Sequence, residues 1–148
     1  MSATDMHDGD APKGALTARV VAMPADTNAN GDIFGGWVLS QMDMAGGIAA
    51  VERARGRVVT IKVDTMIFIR PVRVGDVLSV YTVVESIGRT SMKLHIEAWA
   101  KRFISHQLEK VTDATFTFVA IDDNGRPRPI PRDDAFSDSA LPNSEKSV

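Results

Sequence analysis

The sequence predicts an α+β domain in which one long apolar helix packs on a single face of a curved, mainly antiparallel sheet of five to six strands. Three observations carry this. Residues from Trp37 to about Arg53 are apolar on nearly every face, the mark of a helix buried on most sides. From Val58 onward the chain reads as consecutive strands joined by short turns, not as repeated strand-helix-strand units, so the sheet is antiparallel and carries its helix on one side. With 148 residues, 44% hydrophobic and 24% charged, the chain has the length for one well-buried core and hardly for two.

The elements follow in order. Leu16, Ala18, Val20 and Ala22 alternate with Thr17, Arg19 and Val21 at the period of a half-buried first strand. Pro24 to Gly36, PADTNANGDIFGG, is rich in residues that bond their own turns or tolerate left-handed backbone, so it forms a structured loop leading into the helix. Small residues at Ala45, Gly46, Gly47, Ala49 and Ala50 allow strands to approach that helix closely and lower its propensity unless packing compensates. After a turn at Arg55-Gly56-Arg57, a second strand spans Val58 to Ile69, its alternation blurred near Asp64-Thr65 as at a bulge. Val77 to Glu85 is strand-like, and Ser86 to Arg89 turns the chain around Gly88. Met92, Leu94, Ile96, Ala98 and Ala100 then alternate strictly with polar neighbours, and a last strand runs from about Gln107 to Ile121 with Ala114, Phe116, Phe118 and Ala120 on one face. A sheet curled around an apolar central helix is the hotdog arrangement. Trp99, on the polar face of its strand, suggests that another subunit covers that face. Residues 1–14 and 132–148 are expected to be a disordered N-terminus and a flexible tail around a single domain at 15–131.

Composition narrows the function. A net charge of -2 and a pI near 5.9 give no global attraction to nucleic acid or anionic lipid. The absence of cysteine excludes disulfides, thiolate metal sites and thiol nucleophiles, and MSATDMHDGDAPKG lacks a secretory pattern, so the expectation is a cytoplasmic protein. Ile33 to Val51 carries Ser40, Gln41, Asp43 and four glycines, which suit a packed core helix better than a membrane span.

Asp43 is the only ionisable side chain between Ile33 and Val51. A carboxylate in such surroundings is costly unless it is hydrogen-bonded, paired or kept for a reaction, and the pattern alone does not choose among these. A base must stay ionised, so a donor or helix end is expected to face it. Gly35-Gly36 at the helix start offers unpaired backbone N–H groups at the positive end of the helix dipole, where a carbonyl oxygen could be polarised; an ordinary tightly packed helix start has the same sequence. Asn28, Asn30 and Asp32 read first as turn formers. Arg89-Thr90-Ser91 and Lys101-Arg102 mark the two ends of one strand and could hold phosphates, although exposed cations beside turns are commonly solvated surface. His7, His95 and His106 form no metal-ligand spacing and no Ser-His-Asp order, so no metal site is expected.

The segments PADTNANGDIFGGWVLSQMDMAGG, RVVTIKVDTMIFIRPVRVGD and GRTSMKLHIEAW resemble the bacterial YciA-type branch of the hotdog acyl-CoA thioesterases, from about Leu16 to Pro131. The resemblance implies hydrolysis of acyl-CoA thioesters to free acid and CoA, with no metal or organic cofactor and no membrane or nucleic-acid partner. It implies a homodimer whose sheets join and whose active sites are shared, often assembled as a hexamer, a trimer of dimers. Asp43 matches the family's helix carboxylate, a general base on water or a nucleophile giving a mixed anhydride. Asn28 matches a loop asparagine supplied by the partner protomer, and the N–H groups of Gly35 and Gly36 would bind the thioester oxygen. Arg89, Thr90 and Ser91 match a segment near the CoA nucleotide, with Thr60 a further substrate-binding position, and Met42, Met66 and Phe68 would shape the acyl pocket. A histidine-dependent hotdog hydratase is disfavoured because no histidine lies near the loop or helix. The remaining alternative is a non-catalytic acyl-CoA-binding module, which would need no Asp43.

Overall fold

The computed structural model describes residues 11–132. Its elements are β1 (Ala15–Val21), a 3-10 turn (Pro24–Asp26), α1 (Gly35–Ala54), β2 (Val58–Asp64), β3 (Val77–Ile87), β4 (Ser91–Lys101) and β5 (Leu108–Ala120). The five strands form one antiparallel sheet in the order β1-β3-β4-β5-β2, leaving β1 and β2 at its edges.

Alternation decides which face takes the helix. Met92, Leu94, Ile96, Ala98 and Ala100 of β4 and Ala114, Phe116, Phe118 and Ala120 of β5 are all buried on one side, where α1 touches every strand. Phe116 and Phe118 stack with centroids 6.3 Å apart beneath it. The helix buries a single stripe, Val38, Met42, Ala45, Gly46, Ala50 and Ala54. Gly46 is the closest approach, because a Cβ there would lie 2.5 Å from Ile96 Cδ1 and 2.9 Å from Phe118 Cζ. A Cβ at Gly47 would meet nothing within 4 Å, so only part of the small-residue run is needed for packing. The helix ends where Arg55 turns left-handed (φ 58), with the N–H groups of Arg55 and Gly56 both donating to the Val51 carbonyl.

Several expectations shift. The helix starts at Gly35 instead of Trp37, with Phe34 as N-cap and no side chain capping it. Burial on most sides does not hold within one chain, since Met44, Ile48 and Val51 are exposed. β2 stops at Asp64, and its register shift falls between Thr60 and Lys62 instead of near Asp64-Thr65. Beyond Asp64 the chain continues beside β5 without a regular ladder: Ile69 N–H donates to the Val111 carbonyl (2.8 Å) and Thr112 Oγ1 to the Ile67 carbonyl (2.8 Å). β3 continues to Ile87 past a register shift between Val84 and Ser86. Trp99 needs no second subunit to cover it, being 3% exposed within one chain, where a shift between Ala98 and Trp99 accompanies an indole N–H bond to Glu97 Oε1 (2.9 Å). Of the two ends expected to be disordered, residues 1–10 and 133–148 lie outside the described residues, while Lys13 N–H is held by Glu97 Oε1 (3.2 Å).

Gly46→Val should lower stability by about 1–3 kcal/mol through overpacking against Ile96 and Phe118, read as a lower denaturant midpoint at unchanged slope. Gly47→Ala, with open space around it, should be neutral or stabilising.

Candidate active site

Asp43 lies in the ninth position of α1, half-buried, and its Oδ1 accepts a hydrogen bond from Thr60 Oγ1 on β2 (2.6 Å). The donor expected to face this carboxylate is therefore a hydroxyl on the sheet's edge strand. With Oδ1 held, Oδ2 is the oxygen left to take a proton.

At the helix start, Trp37 and Val38 N–H turn back to the Phe34 carbonyl, and Phe34 N–H donates to the Asp26 carbonyl (3.0 Å). The N–H groups of Gly35 and Gly36 have no acceptor among the described residues, and both glycines are exposed. They are the orphan donors that any helix start presents, here without a capping side chain. Beside them opens a cavity of about 280 Å³ lined by Gly35, Val38, Phe68, Ile69, Val72 and Val111. A Cβ on Gly35 would lie 3.4 Å from the Phe68 ring. Met42 does not shape this cavity, since it is fully buried in the core, and Met66 packs against the core instead. Phe68 alone of the three expected residues lines it. The other walls come from separate segments, and no local pattern links Val72 or Val111 to Gly35.

Asn28 first does what its type predicts. Its Oδ1 accepts from the N–H groups of Asn30 (2.9 Å) and Asp32 (3.1 Å), while its backbone N–H donates to the Asp32 carbonyl (2.7 Å). That closed loop fixes the amide plane and leaves Nδ2 free to donate outward. No hydrogen bond joins Asn28 to Asp43 within the chain among the described residues. Helix geometry also separates Asp43 from Gly35 and Gly36: at 1.5 Å per residue they lie about 10–12 Å apart along the axis. No single carbonyl can touch both within one chain.

Arg89, Thr90 and Ser91 form the β3–β4 hairpin. The Arg89 carbonyl accepts from Ile130 N–H (2.8 Å) and the Thr90 carbonyl from Ala120 N–H (2.9 Å), so their backbone serves the fold while the Arg89 side chain remains exposed. No hydrogen bond ties this hairpin to Asp43 or Thr60 among the described residues.

On the opposite face of the sheet, a cluster escaped the search for metal-ligand spacing. His95, Glu97 and Asp113 come within 4.8 Å of one another because Glu97 pairs across strands with Asp113. His95 thus lies on β4, between β3 and β5 in the middle of the sheet. His95 Nε2 lies 2.9 Å from Glu97 Oε2, and Lys110 Nζ pairs with Asp113 and with Glu97 (3.9 Å). An ammonium bridging both carboxylates makes this an ion-pair network before it is a cation site. Burial by itself pushes the Glu97 carboxyl up, but hydrogen bonds from Trp99, His95 and the Lys13 backbone, with the Lys110 charge, together hold it below its ordinary value.

Comparison with known proteins places this architecture. The model of the "Thioesterase superfamily" matches residues 30–102. The Acyl-CoA thioester hydrolase YciA of Salmonella typhimurium is 54% identical over 123 residues, covering 81% of this chain and 92% of that protein. The hexameric thioesterase of Yersinia pestis superimposes with a TM-score of 0.79 at 53% identity, covering 82% of this chain and 99% of its own. An aspartate-to-alanine variant of a hexameric broad specificity acyl-coenzyme A thioesterase superimposes at 0.80 and 50% identity, covering 90% and 100%.

The lowered Glu97 carboxyl predicts a pH dependence. Its contribution to stability is present above the unfolded glutamate value of about 4.3 and is lost as pH falls through the lower folded value. The stability difference between wild type and Glu97→Gln should therefore hold at neutral pH and shrink below about pH 4.3, as followed by denaturant unfolding across pH.

Proposed function

The chain belongs to the thioesterase superfamily, in the YciA-type branch of the hotdog acyl-CoA thioester hydrolases, and from that premise we propose that it hydrolyses acyl-CoA thioesters to free carboxylic acid and CoA at a site shared between two protomers. The observation that carries the reading is the pairing of Asp43 with Thr60 at a distance from the helix start that one chain cannot bridge.

Asp43 acts as general base. Its Oδ1 is fixed by Thr60, and Oδ2 removes a proton from water as the oxygen attacks the thioester carbonyl. The negative charge passes to the carbonyl oxygen, stabilised by the Gly35 and Gly36 N–H groups of the other protomer, whose Asn28 Nδ2 orients the water or thioester. Collapse of the tetrahedral intermediate breaks the C–S bond. The departing CoA sulfur takes the proton from Asp43, giving thiol and acid. No metal or organic cofactor takes part. Arg89, Thr90 and Ser91 would meet the CoA nucleotide.

A second copy has a defined place to dock. β2 is an edge strand with Val59, Ile61 and Val63 exposed, and α1 exposes Met44 and Ile48. Open edges and apolar patches of this kind favour pairing with another chain. Joining β2 to its symmetry copy would run two helices past each other, carrying each helix start toward the other's Asp43. The dimers assemble further into a hexamer, the state of the solved relatives.

Asp43→Ala should lose about 100-fold or more in kcat on acyl-CoA while keeping fold and assembly, measured by CoA thiol release. Thr60→Val should lower kcat more than KM. Mixing separately inactive Asp43→Ala and Asn28→Ala proteins should restore partial turnover, because a hybrid dimer rebuilds one intact site. Unchanged turnover in Asp43→Ala would overturn Asp43 as the base, whereas wild type that binds acyl-CoA without releasing CoA would point to a non-catalytic acyl-CoA module.

A further inference from the structure

We infer that the C-terminal segment 133–141 folds back onto its own chain and seats Phe136 in the groove between α1 and the β1–β3 side of the sheet. Ala49, Glu52 and Arg53 are among the helix residues of this groove, and Leu16, Thr17 and Val84 among those of the strands. β1 and β2 are opposite edges of the sheet, so the groove lies at the edge away from the one proposed for dimer pairing. Ile48 contributes to this wall as well as to the helix side offered to a second chain. Leu16 is 46% exposed and Ile48 56%, so apolar surface stands open here. Ala49 and Val84 continue into the core, and the Thr17 and Thr82 hydroxyls bond each other (2.6 Å), so the groove suits an apolar occupant.

The place where the described chain ends selects the occupant. Ile130 is buried and its N–H donates to the Arg89 carbonyl (2.8 Å), which anchors the approach. Arg53, itself a residue of the groove, then donates from Nη1 to the Pro131 carbonyl (2.8 Å). The chain is therefore delivered to one end of the groove. Phe136 follows Pro131 by five residues, a reach of up to about 17 Å. Ala49 lies one helical turn from Arg53, about 6 Å along the axis. The distance is well within reach, and a tether this short gives Phe136 a high effective concentration that a separate partner lacks.

Charge sets the direction. Arg53, Arg55 and Arg57 gather at the end of α1, and the tail begins with Asp133 and Asp134. The acidic pair stays at the arginine end while Phe136 runs on toward Ala49. Glu52, in the groove itself, opposes the reverse placement with the aspartates deep between helix and sheet. Burying a phenyl side chain favours the docked state by roughly ten- to a hundredfold before the cost of ordering the tail.

The chain has no cysteine, so an introduced pair is the only pair of thiols. In the full-length protein, Glu52→Cys with Ser137→Cys should be joined within one chain by a short bis-maleimide. Adding Phe136→Ser should slow that linking about tenfold, because tethering alone then brings the thiols together. Linking at the same rate with and without Phe136, or only between chains, overturns the proposal. Chymotrypsin gives an independent readout on the cysteine-free protein. Ala49→Glu, which places a charge in the seat, should speed cleavage after Phe136 about tenfold, since cleavage follows the undocked population. Cleavage after Phe103, which is 68% exposed at the β4–β5 turn, should not change and so reports any general loosening of the fold. Cleavage after Phe136 that is as fast in wild type as in Ala49→Glu overturns the docking.

Discussion

The seat of α1 on the sheet at Gly46 is the contact on which the other arrangements depend. Because this residue has no side chain, Ile96 and Phe118 reach the helix surface and the axis lies close to β4 and β5. Asp43 sits three positions earlier, on the neighbouring turn, so its height above the sheet is set by the same contact. Only a helix held this close lets a short carboxylate meet a threonine hydroxyl on β2 at 2.6 Å. Glycine in a helix interior costs about 1 kcal/mol relative to alanine. Burial of the stripe from Val38 to Ala54 offsets that locally, and the same packing positions the chemistry.

A helix seated on one stripe leaves its other side open. Met44, Ile48 and Val51 remain exposed, as do Val59, Ile61 and Val63 of the unpaired edge strand. These residues explain why the helix reads as apolar on nearly every face although one chain buries only part of it. The sequence pattern describes the helix as it would sit in the proposed assembly, and the isolated chain accounts for half of it.

Much of the fold was legible because strict alternation in β4 and β5 leaves only one face for the core, and the helix has a period no strand can mimic. The boundaries were less legible. Residues after Asp64 remain apolar and stay beside β5, but a side-chain hydroxyl, Thr112 Oγ1, takes the Ile67 carbonyl and only Ile69 N–H reaches a β5 carbonyl, a long-range fact invisible to local pattern. Trp99 misled for a similar reason: its indole N–H found a buried carboxylate two residues away, which also accepts from the Lys13 backbone and pairs with Lys110 from elsewhere in the chain. In the site, Asp43 stood out as a lone charge and Gly35-Gly36 as a bare helix start, both local signals. The separation between them was equally implicit in the numbering, since seven or eight helical residues fix the distance. What no local pattern held was the cavity, built from segments that meet only in the folded chain.

That separation also has a chemical rationale. A carboxylate placed in the first turn of a helix is held by the free N–H groups and the positive end of the dipole. It would then occupy the donors proposed for the thioester oxygen. Two turns further along, Asp43 leaves those donors alone and has a single hydroxyl partner in Thr60, while Gly35 and Gly36 keep their donors unspent. The proposed base and oxyanion donors could then share one substrate only if they come from different helices. In the proposed dimer, an antiparallel pairing across β2 would supply both while burying the apolar edge, so assembly and catalysis would draw on the same constraint.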